Sequence, residues 1–310
     1  MRPFRFAIQS QKSTGGATWR DHARRLEDLG YSTLFVPDHF DDQWAPLVAL
    51  TSAAEATRTL RVGSLVFDND YRHPLVLARE CATLDLVSEG RLEVGLGAGW
   101  LRSDYEQSGI AFDAAAERVA RLAEAVQVLQ ALWGAMGPVS FSGDHYRLDG
   151  ALGLPKPHTP GGPPLIIGGG SRRVLSLAAE HAAVVGLNAA LRGGAVDADA
   201  IASVVGSRFD ERVAWVRRAA GERFDDLELQ VLTFATELGR PRAVAGQDYA
   251  AMFDYPLAEV LESPAALIGT EDEIVETLLE RRERFAISYV VLHDRDVDAF
   301  APVVARLAGT

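Results

Sequence analysis

The stretch LRVGSLVFDNDYRHPLVLARECATLDLVSEGRLEVGLGAGW, Leu60–Trp100, decides how the rest of the chain is read. Leu60–Asp68 is an apolar run rich in Leu, Val and Phe. His73–Ser88 carries apolar residues at helical spacing, and Arg91–Gly99 is a second apolar run that ends with glycine at every second position. Strand, helix and strand in direct succession form a βαβ unit, in which two buried strands lie parallel and the crossover is right-handed. Ligands of such sheets gather at the carboxyl ends of the strands. Two ends lie here, Ser64-Leu65-Val66 and Gly95-Leu96-Gly97-Ala98-Gly99.

Upstream, Phe4–Ser10 reads as a strand and Thr18–Leu29 as a helix, with Thr18 as N-cap and Gly30 as the stop signal. Ser32–Val36 is the next strand, running into Pro37-Asp38-His39-Phe40, and Ala45–Thr57 is helical. Downstream, Ala114–Trp133 is the longest amphipathic helix, with Val119, Leu122, Val126, Leu129 and Trp133 near one face. Residues 137–164 break the alternation as an insertion, a hairpin about Ser142-Gly143-Asp144 followed by a Pro/Gly-rich connector. Strands follow at Pro164–Gly170, Val184–Asn188, Leu227–Thr236 and Ile287–His293, and helices at Ser171–Ala182, Ala198–Ala219, Glu271–Arg284 and Val297–Leu307. Residues 239–267 form an extra segment of short helices. Eight strands thus begin near residues 4, 32, 60, 91, 164, 184, 227 and 287, the pattern of an α/β chain folded as a single-domain (β/α)8 TIM barrel over 1–310. An open doubly wound sheet would call for a strand followed by G-x-G-x-x-G at its first helix, which this chain lacks.

Composition narrows the function. A net charge of −12 and a pI near 5.1 argue against a nucleic-acid partner, which calls for a basic face. The lone cysteine, Cys81, excludes an intrachain disulfide and reads as a small buried thiol on an apolar helix face. The start MRPFRFAIQS enters a strand rather than a signal-peptide run, and no stretch of about 18 apolar residues suggests a membrane span, so a cytoplasmic protein is expected.

In a barrel the polar and glycine residues at the carboxyl ends of the strands are the candidate site. They are Gln9 and Ser10, Asp38 and His39, Ser64, Gly97 to Trp100, Gly168 to Ser171, Asn188, Thr236, and His293 and Asp294. Ile166-Ile167-Gly168-Gly169-Gly170-Ser171-Arg172-Arg173 runs from strand through glycine turn to helix start, where free N–H groups and the helix dipole suit a phosphate. The same residues also suit a tight turn with Ser171 as a plain N-cap. Gly95, Gly97 and Gly99 lie on one side of their strand, and either let a flat ring approach the backbone or serve barrel packing at a bulge. Asp38 and His39 read as a general acid/base pair, as hydrogen-bonded loop residues or, with His293 and Asp294, as a metal cluster; no H-E-x-x-H motif supports the last.

Taken together, LFVPDHF (34–40), RVGSLV (61–66), YRHPLVLARECATLDLVSEGRLEVGLGAGW (71–100), ERVARLAEAVQVLQALW (117–133), LIIGGGSRRVLSLAAEHA (165–182) and GTEDEIVETLLERRERFAISYVVL (269–292) resemble the luciferase-like monooxygenase superfamily, and within it the branch that uses the deazaflavin coenzyme F420. The resemblance implies an oxidoreductase that moves a hydride between F420 and a small organic substrate. It places the tricyclic ring against His39, Ser64-Leu65 and Gly97-Ala98-Gly99, and the phosphate near Gly168, Gly169, Gly170 and Ser171. Asp38 and His39 become the catalytic candidates, and a non-proline cis peptide is expected at Ser64-Leu65. One departure concerns Trp100, which stands where some sugar-phosphate dehydrogenases of this branch have a glutamate acid. Alternatives are an FMN-dependent monooxygenase supplied by a partner reductase, a non-catalytic flavin-binding barrel and a metal hydrolase. The expected partners are a small-molecule substrate, a second copy of the chain in a homodimer and a separate coenzyme reductase, with neither nucleic acid nor membrane.

Overall fold

The computed structural model describes residues 2–12, 14–191, 194, 200 and 202–310. In chain order the strands are β1 (Arg5–Gln9), β2 (Thr33–Val36), β3 (Arg61–Asp68), β4 (Leu92–Gly97), β5 (Val139–Ser142), β6 (Arg147–Ala151), β7 (Leu165–Gly169), β8 (Val184–Leu187), β9 (Glu228–Leu232), β10 (Ala235–Leu238), β11 (Ala266–Gly269) and β12 (Ile287–His293). Eight of them close into a parallel barrel in the order β1-β12-β9-β8-β7-β4-β3-β2. Each of the eight begins within a residue of its expected place. The helices are α1 (Gly16–Asp28), α2 (Pro46–Ala56), α3 (Pro74–Val87), α4 (Arg102–Ser108), α5 (Ala115–Gly134), α6 (Arg172–His181), α7 (Gly206–Ala220), α8 (Arg242–Phe253), α9 (Leu257–Glu262), α10 (Glu271–Phe285) and α11 (Val297–Leu307).

Side-chain alternation sorts the strands into two cores. Outward residues such as Phe6, Ile8, Leu34, Val62, Val94, Ile167, Val185 and Leu229 meet the helices in the main cluster, each fully buried aliphatic or aromatic side chain contributing about 1.5–3 kcal/mol. Inward residues Ala7, Phe35, Leu65, Ile166, Val184, Tyr289 and Val291 form a smaller plug inside the barrel. Below the plug, at the amino ends of the strands, buried Glu93 gathers Arg5, the Arg61 Nε (2.7 Å) and the Tyr289 hydroxyl (2.9 Å). The insertion is a β5–β6 antiparallel hairpin, held to α5 because the Glu124 carboxylate accepts the backbone N–H groups of Asp144, His145 and Tyr146. Cys81 is buried and free, its thiol pushed up by burial.

Three expectations need correction. The strand expected over Leu227–Thr236 ends in the barrel at Leu232; the Thr233 N–H and hydroxyl make its last bonds there, to the Val291 carbonyl (3.0 and 2.9 Å), and the next N–H, of Phe234, turns away to the Ala265 carbonyl (2.8 Å). Thr236 therefore sits in β10, which pairs in parallel with β11 as a separate sheet, and donates to Asp296 instead of facing the barrel mouth. The extra segment accordingly holds α8, α9 and a strand. Helix α1 begins at Gly16 with Gly15 as its cap, so Thr18 lies inside the first turn, whereas Gly30 does end the helix with φ +83°. Of the helix expected over Ala198–Ala219, residues 206–219 lie in α7; positions 198, 199 and 201 lie outside the described residues.

Candidate active site

A cavity of 770 Å³ opens at the carboxyl ends of the barrel strands. Fourteen of the expected site residues line it: Gln9 in β1, Asp38 and His39 after β2, Leu65 in β3, Gly97, Ala98, Gly99 and Trp100 at and after the end of β4, Gly168, Gly169, Gly170 and Ser171 from the end of β7 into α6, Asn188 after β8, and His293 at the end of β12. Ser64 does not. It is fully buried and its hydroxyl donates to the Val36 carbonyl (2.9 Å), tying β3 to β2. The non-proline cis peptide joins Leu65 and Val66, one residue beyond the expected Ser64-Leu65 bond, and β3 slips register against β4 between Ser64 and Phe67. The slip brings Leu65 and Val66, in sequence neighbours, both to the cavity wall.

That bulge accounts for the glycines of β4. A Cβ on Gly95 would stand 2.0 Å from the Ser64 carbonyl oxygen, and one on Gly97 2.6 Å from the Val66 side chain. Gly99, at φ +72°, leaves room for the Tyr105 hydroxyl. The turn after β7 is equally tight, with Gly169 against Val174 and Gly170 against the Ala189–Ala190 backbone. The Ser171 oxygen accepts from the Val174 N–H (3.4 Å) as the cap of α6. Ser171→Ala should therefore lower stability by about 1 kcal/mol in urea unfolding, quite apart from any effect on ligands.

The two neighbours Asp38 and His39 part company. Asp38 receives Arg72 (3.2 Å to Oδ1) and the Asp68 N–H (3.2 Å), a buried clamp between the ends of β2 and β3. His39 Nδ1–H donates instead to Asp104 Oδ2 (2.6 Å), since a carboxylate can only accept. Asp104 is buried on α4 and also accepts from the Tyr71 hydroxyl (3.1 Å), while Trp100 packs edge-on against the imidazole, ring centroids 5.6 Å apart. The ring is thereby fixed in orientation and tautomer, and Nε2, with no partner among the described residues, is the basic nitrogen. Nothing in the polar run RSDYEQS marked Asp104 beforehand, because its role depends on a residue 65 positions away.

Asp68, also absent from the expected set, lines the cavity and accepts from the Asp70 N–H (2.9 Å) and the Tyr105 hydroxyl (3.3 Å). Burial, with repulsion from Asp70 and Asp38, pushes its carboxyl up to about 7. The folded chain thus holds a proton that the unfolded chain releases near pH 4, so this group's contribution to stability falls as pH rises from about 4 to 7. Asp68→Asn should raise stability at pH 8 by at least about 1 kcal/mol and flatten that slope, measured as urea unfolding at pH 5 and pH 8. Arg118, in the first turn of α5, is a further wall residue; its buried guanidinium donates to the carbonyls of Ala98 (3.1 Å), Gly99 (3.3 Å) and Asp113, holding the end of β4.

His293 lines the cavity but donates through Nε2 to the Thr233 carbonyl (2.8 Å), and burial pushes its pKa below the usual imidazole range. Asp294 instead accepts from Ser10 (2.5 Å) and pairs with His22 (3.2 Å). Among the described residues no group of three or more His, Cys, Asp or Glu is placed to hold a metal ion, and no helix is long and apolar enough to cross a membrane.

An eight-stranded parallel barrel with a largely apolar cavity and an oriented His–Asp pair at its carboxyl ends is the architecture of a (β/α)8 protein, a fold whose ligand sites lie at that face. The chain belongs to the luciferase-like monooxygenase family, whose profile matches residues 3–287. It is 33% identical over 149 residues to an F420-dependent glucose-6-phosphate dehydrogenase of Amycolatopsis mediterranei (strain U-32), a match spanning 45% of this chain and 44% of that protein. It is 29% identical over 296 residues to the 4-hydroxyprotoasukamycin monooxygenase of Streptomyces nodosus subsp. asukaensis, covering 87% of this chain and 78% of that one. Its fold superposes on the coenzyme F420 dependent tetrahydromethanopterin reductase of Methanopyrus kandleri with a TM-score of 0.76 at 19% identity, over 99% and 98% of the two chains.

Proposed function

We propose that this protein is an oxidoreductase that transfers a hydride between coenzyme F420 and a small organic substrate. The observation that carries the reading is His39, held by Asp104 in the wall of an apolar cavity at the mouth of a barrel of this family. The cavity suits a planar tricycle. Its volume lies within the range of about 300–1,000 Å³ typical of cofactor sites, and its walls are apolar with a few polar points, among them the buried, unpartnered Oδ1 of Asn188. Leu65, Val66 and Gly97-Ala98-Gly99 would flank the ring, and Gly169, Gly170 and Ser171, at the start of α6, would face the phosphate. The deazaflavin, when bound, supplies the carbon that gives or takes the hydride.

The chain's own residues contribute orientation, exclusion of water and one proton position. Asp104 keeps the proton of His39 on Nδ1, so that Nε2 can take a proton from a substrate hydroxyl as it is oxidised, or return one in the reverse direction. Asp38, tied to Arg72, keeps the His39 loop against the end of β3. A second reading, an FMN-dependent monooxygenase fed by a partner reductase, is favoured by the monooxygenase relative that matches most of the chain. Titration of the protein with F420 and, separately, FMN, followed by visible absorbance, distinguishes them. Tighter binding of F420 is expected; tighter binding of FMN would support the second reading, and binding of neither would overturn both.

A further inference from the structure

The cavity has two unlike sides. One is the barrel mouth, with its glycines and the His39–Asp104 pair. The other is a small second core, in which α8 and α9 pack on the β10–β11 sheet. Ala235, Val260 and Ala266 belong to that core and line the cavity as well, and Phe253 and Tyr255 do both from the edge of the core. Ala235 and Ala266 pair across β10 and β11, so two side chains of a single carbon stand side by side where the cavity meets this core. Phe234, 43% exposed, forms the outer lip. Of the two hydroxyls in this wall, on Tyr255 and Ser263, the latter is spent on the Val204 carbonyl.

Charge points the same way. Arg118 is the only arginine or lysine among the described residues that line the cavity. It is 4% exposed, its three nitrogens donate to the carbonyls of Ala98, Gly99 and Asp113, and its guanidinium lies 4.1 Å from the centre of the Phe112 ring. With the start of α6 assigned above to the coenzyme's phosphate, a phosphate or carboxylate on the substrate would enter without a cation to replace its water, which opposes binding far more than the entry of a neutral group. An aliphatic or aromatic body gains from the same wall, because the gain scales with the apolar area withdrawn from water.

We propose that the wall about Ala235 and Ala266 seats the body of the substrate, and that the substrate is an uncharged alcohol, or the matching ketone, on an aliphatic or aromatic body of several carbons. The proposal rests on the reading above that a small organic substrate enters this cavity beside His39. On oxidation the carbinol C–H leaves with its electron pair for the coenzyme, the O–H proton goes to His39 Nε2, and the O–H pair closes the C=O bond.

The test reads binding as well as turnover. 2-Butanone, 2-hexanone, 2-octanone and glucose 6-phosphate are titrated calorimetrically into wild type, Ala266→Leu and Phe253→Ala; F420 and FMN are titrated by visible absorbance, and the matching 2-alkanols are assayed with F420. Ala266→Leu fills the space beside Ala235, whereas Phe253→Ala, at a half-exposed position, removes part of the wall without crowding the core. The Kd is expected to fall about fourfold per added methylene, and glucose 6-phosphate is expected not to bind. Each variant should raise the 2-octanone Kd at least about fivefold, with 2-butanone and F420 held within about twofold, and KM for 2-octanol should rise with it while kcat changes little. If Ala266→Leu does not fold, Phe253→Ala alone decides. A flat chain-length series, glucose 6-phosphate bound as tightly as 2-octanone, or 2-octanol left unoxidised by the F420-loaded protein would overturn the substrate class; 2-octanone bound within about twofold of wild type by the folded variants would overturn its place. Any of these results in a protein that binds F420 leaves the cofactor reading standing, whereas the expected ketone series in a protein that binds neither F420 nor FMN would support the apolar wall and overturn the cofactor reading.

Discussion

Glu93→Ala is expected to destabilise the barrel by about 3–5 kcal/mol, read as a lower midpoint in urea unfolding. The cost comes from what the substitution leaves behind. Glu93 is buried at the closed end of the barrel, where Arg5, Arg61 and the Tyr289 hydroxyl all turn to its carboxylate, and Arg5 shares itself with Glu228. Removing the carboxylate leaves the half-buried Arg5 and Arg61 with one remaining acid, Glu228, between them and takes a partner from the buried Tyr289 hydroxyl, and partly desolvated charges that lose their partner oppose folding. The same network sets a pH dependence. Although burial alone would raise the Glu93 carboxyl, Arg5 and Arg61 hold it below the usual glutamate range. Its contribution to stability is therefore complete above the pKa of an unfolded glutamate and is lost as pH falls through the lower folded value. Glu228, raised by burial despite Arg5, works in the opposite sense. In Glu93→Ala the acid limb of the stability curve should lose much of its slope; an unchanged limb and an unchanged urea midpoint would show that the network carries no net stabilisation.

His39→Ala is expected to lower turnover per folded molecule by about 10²–10⁴-fold, the range for a positioned acid or base, with cofactor affinity changed little; Tm falls as well, because buried Asp104 loses its 2.6 Å partner. Only Nε2 is available for this work, because Nδ1 is committed to Asp104. Asp104→Asn should also lower turnover and shift its pH profile, since an asparagine can present N–H to Nδ1 and favour the tautomer with the proton on Nε2. Turnover is followed through the coenzyme's visible absorbance with a substrate that wild type accepts. A His39→Ala protein that melts lower yet turns over at the wild-type rate per folded molecule would make His39 a structural residue of the β2 loop and remove the proton position from the mechanism.

The eight barrel strands were legible in the chain because each is a short apolar run with its own punctuation, Gly30 before β2, Pro164 before β7, and glycines at the end of β4. Period and turn chemistry are local properties, so they survive without knowledge of the partner strand. The rim residues Asp38, His39, Gly97 to Gly99 and Gly168 to Ser171 were equally legible, because a parallel barrel sends every strand's carboxyl end to the same face. What each rim residue touches was not legible. Asp104 reaches His39, and Arg72 reaches Asp38, only because the closed barrel brings separate βα loops together. The glycines of β4 answer to a bulge in β3; Ser64 shares the outward face of that strand with Val62, and the register slip beyond it brings Val66 to the cavity wall beside Leu65. Gln230 reads in sequence as one polar residue in ELQVL; the register of β9 against β8 and β12 is what turns it inward over Gly186. Local periodicity determined the elements, whereas the pairing of polar groups followed from closure of the barrel, since hydrogen bonds and ion pairs act over a few ångströms between residues that the chain itself keeps far apart.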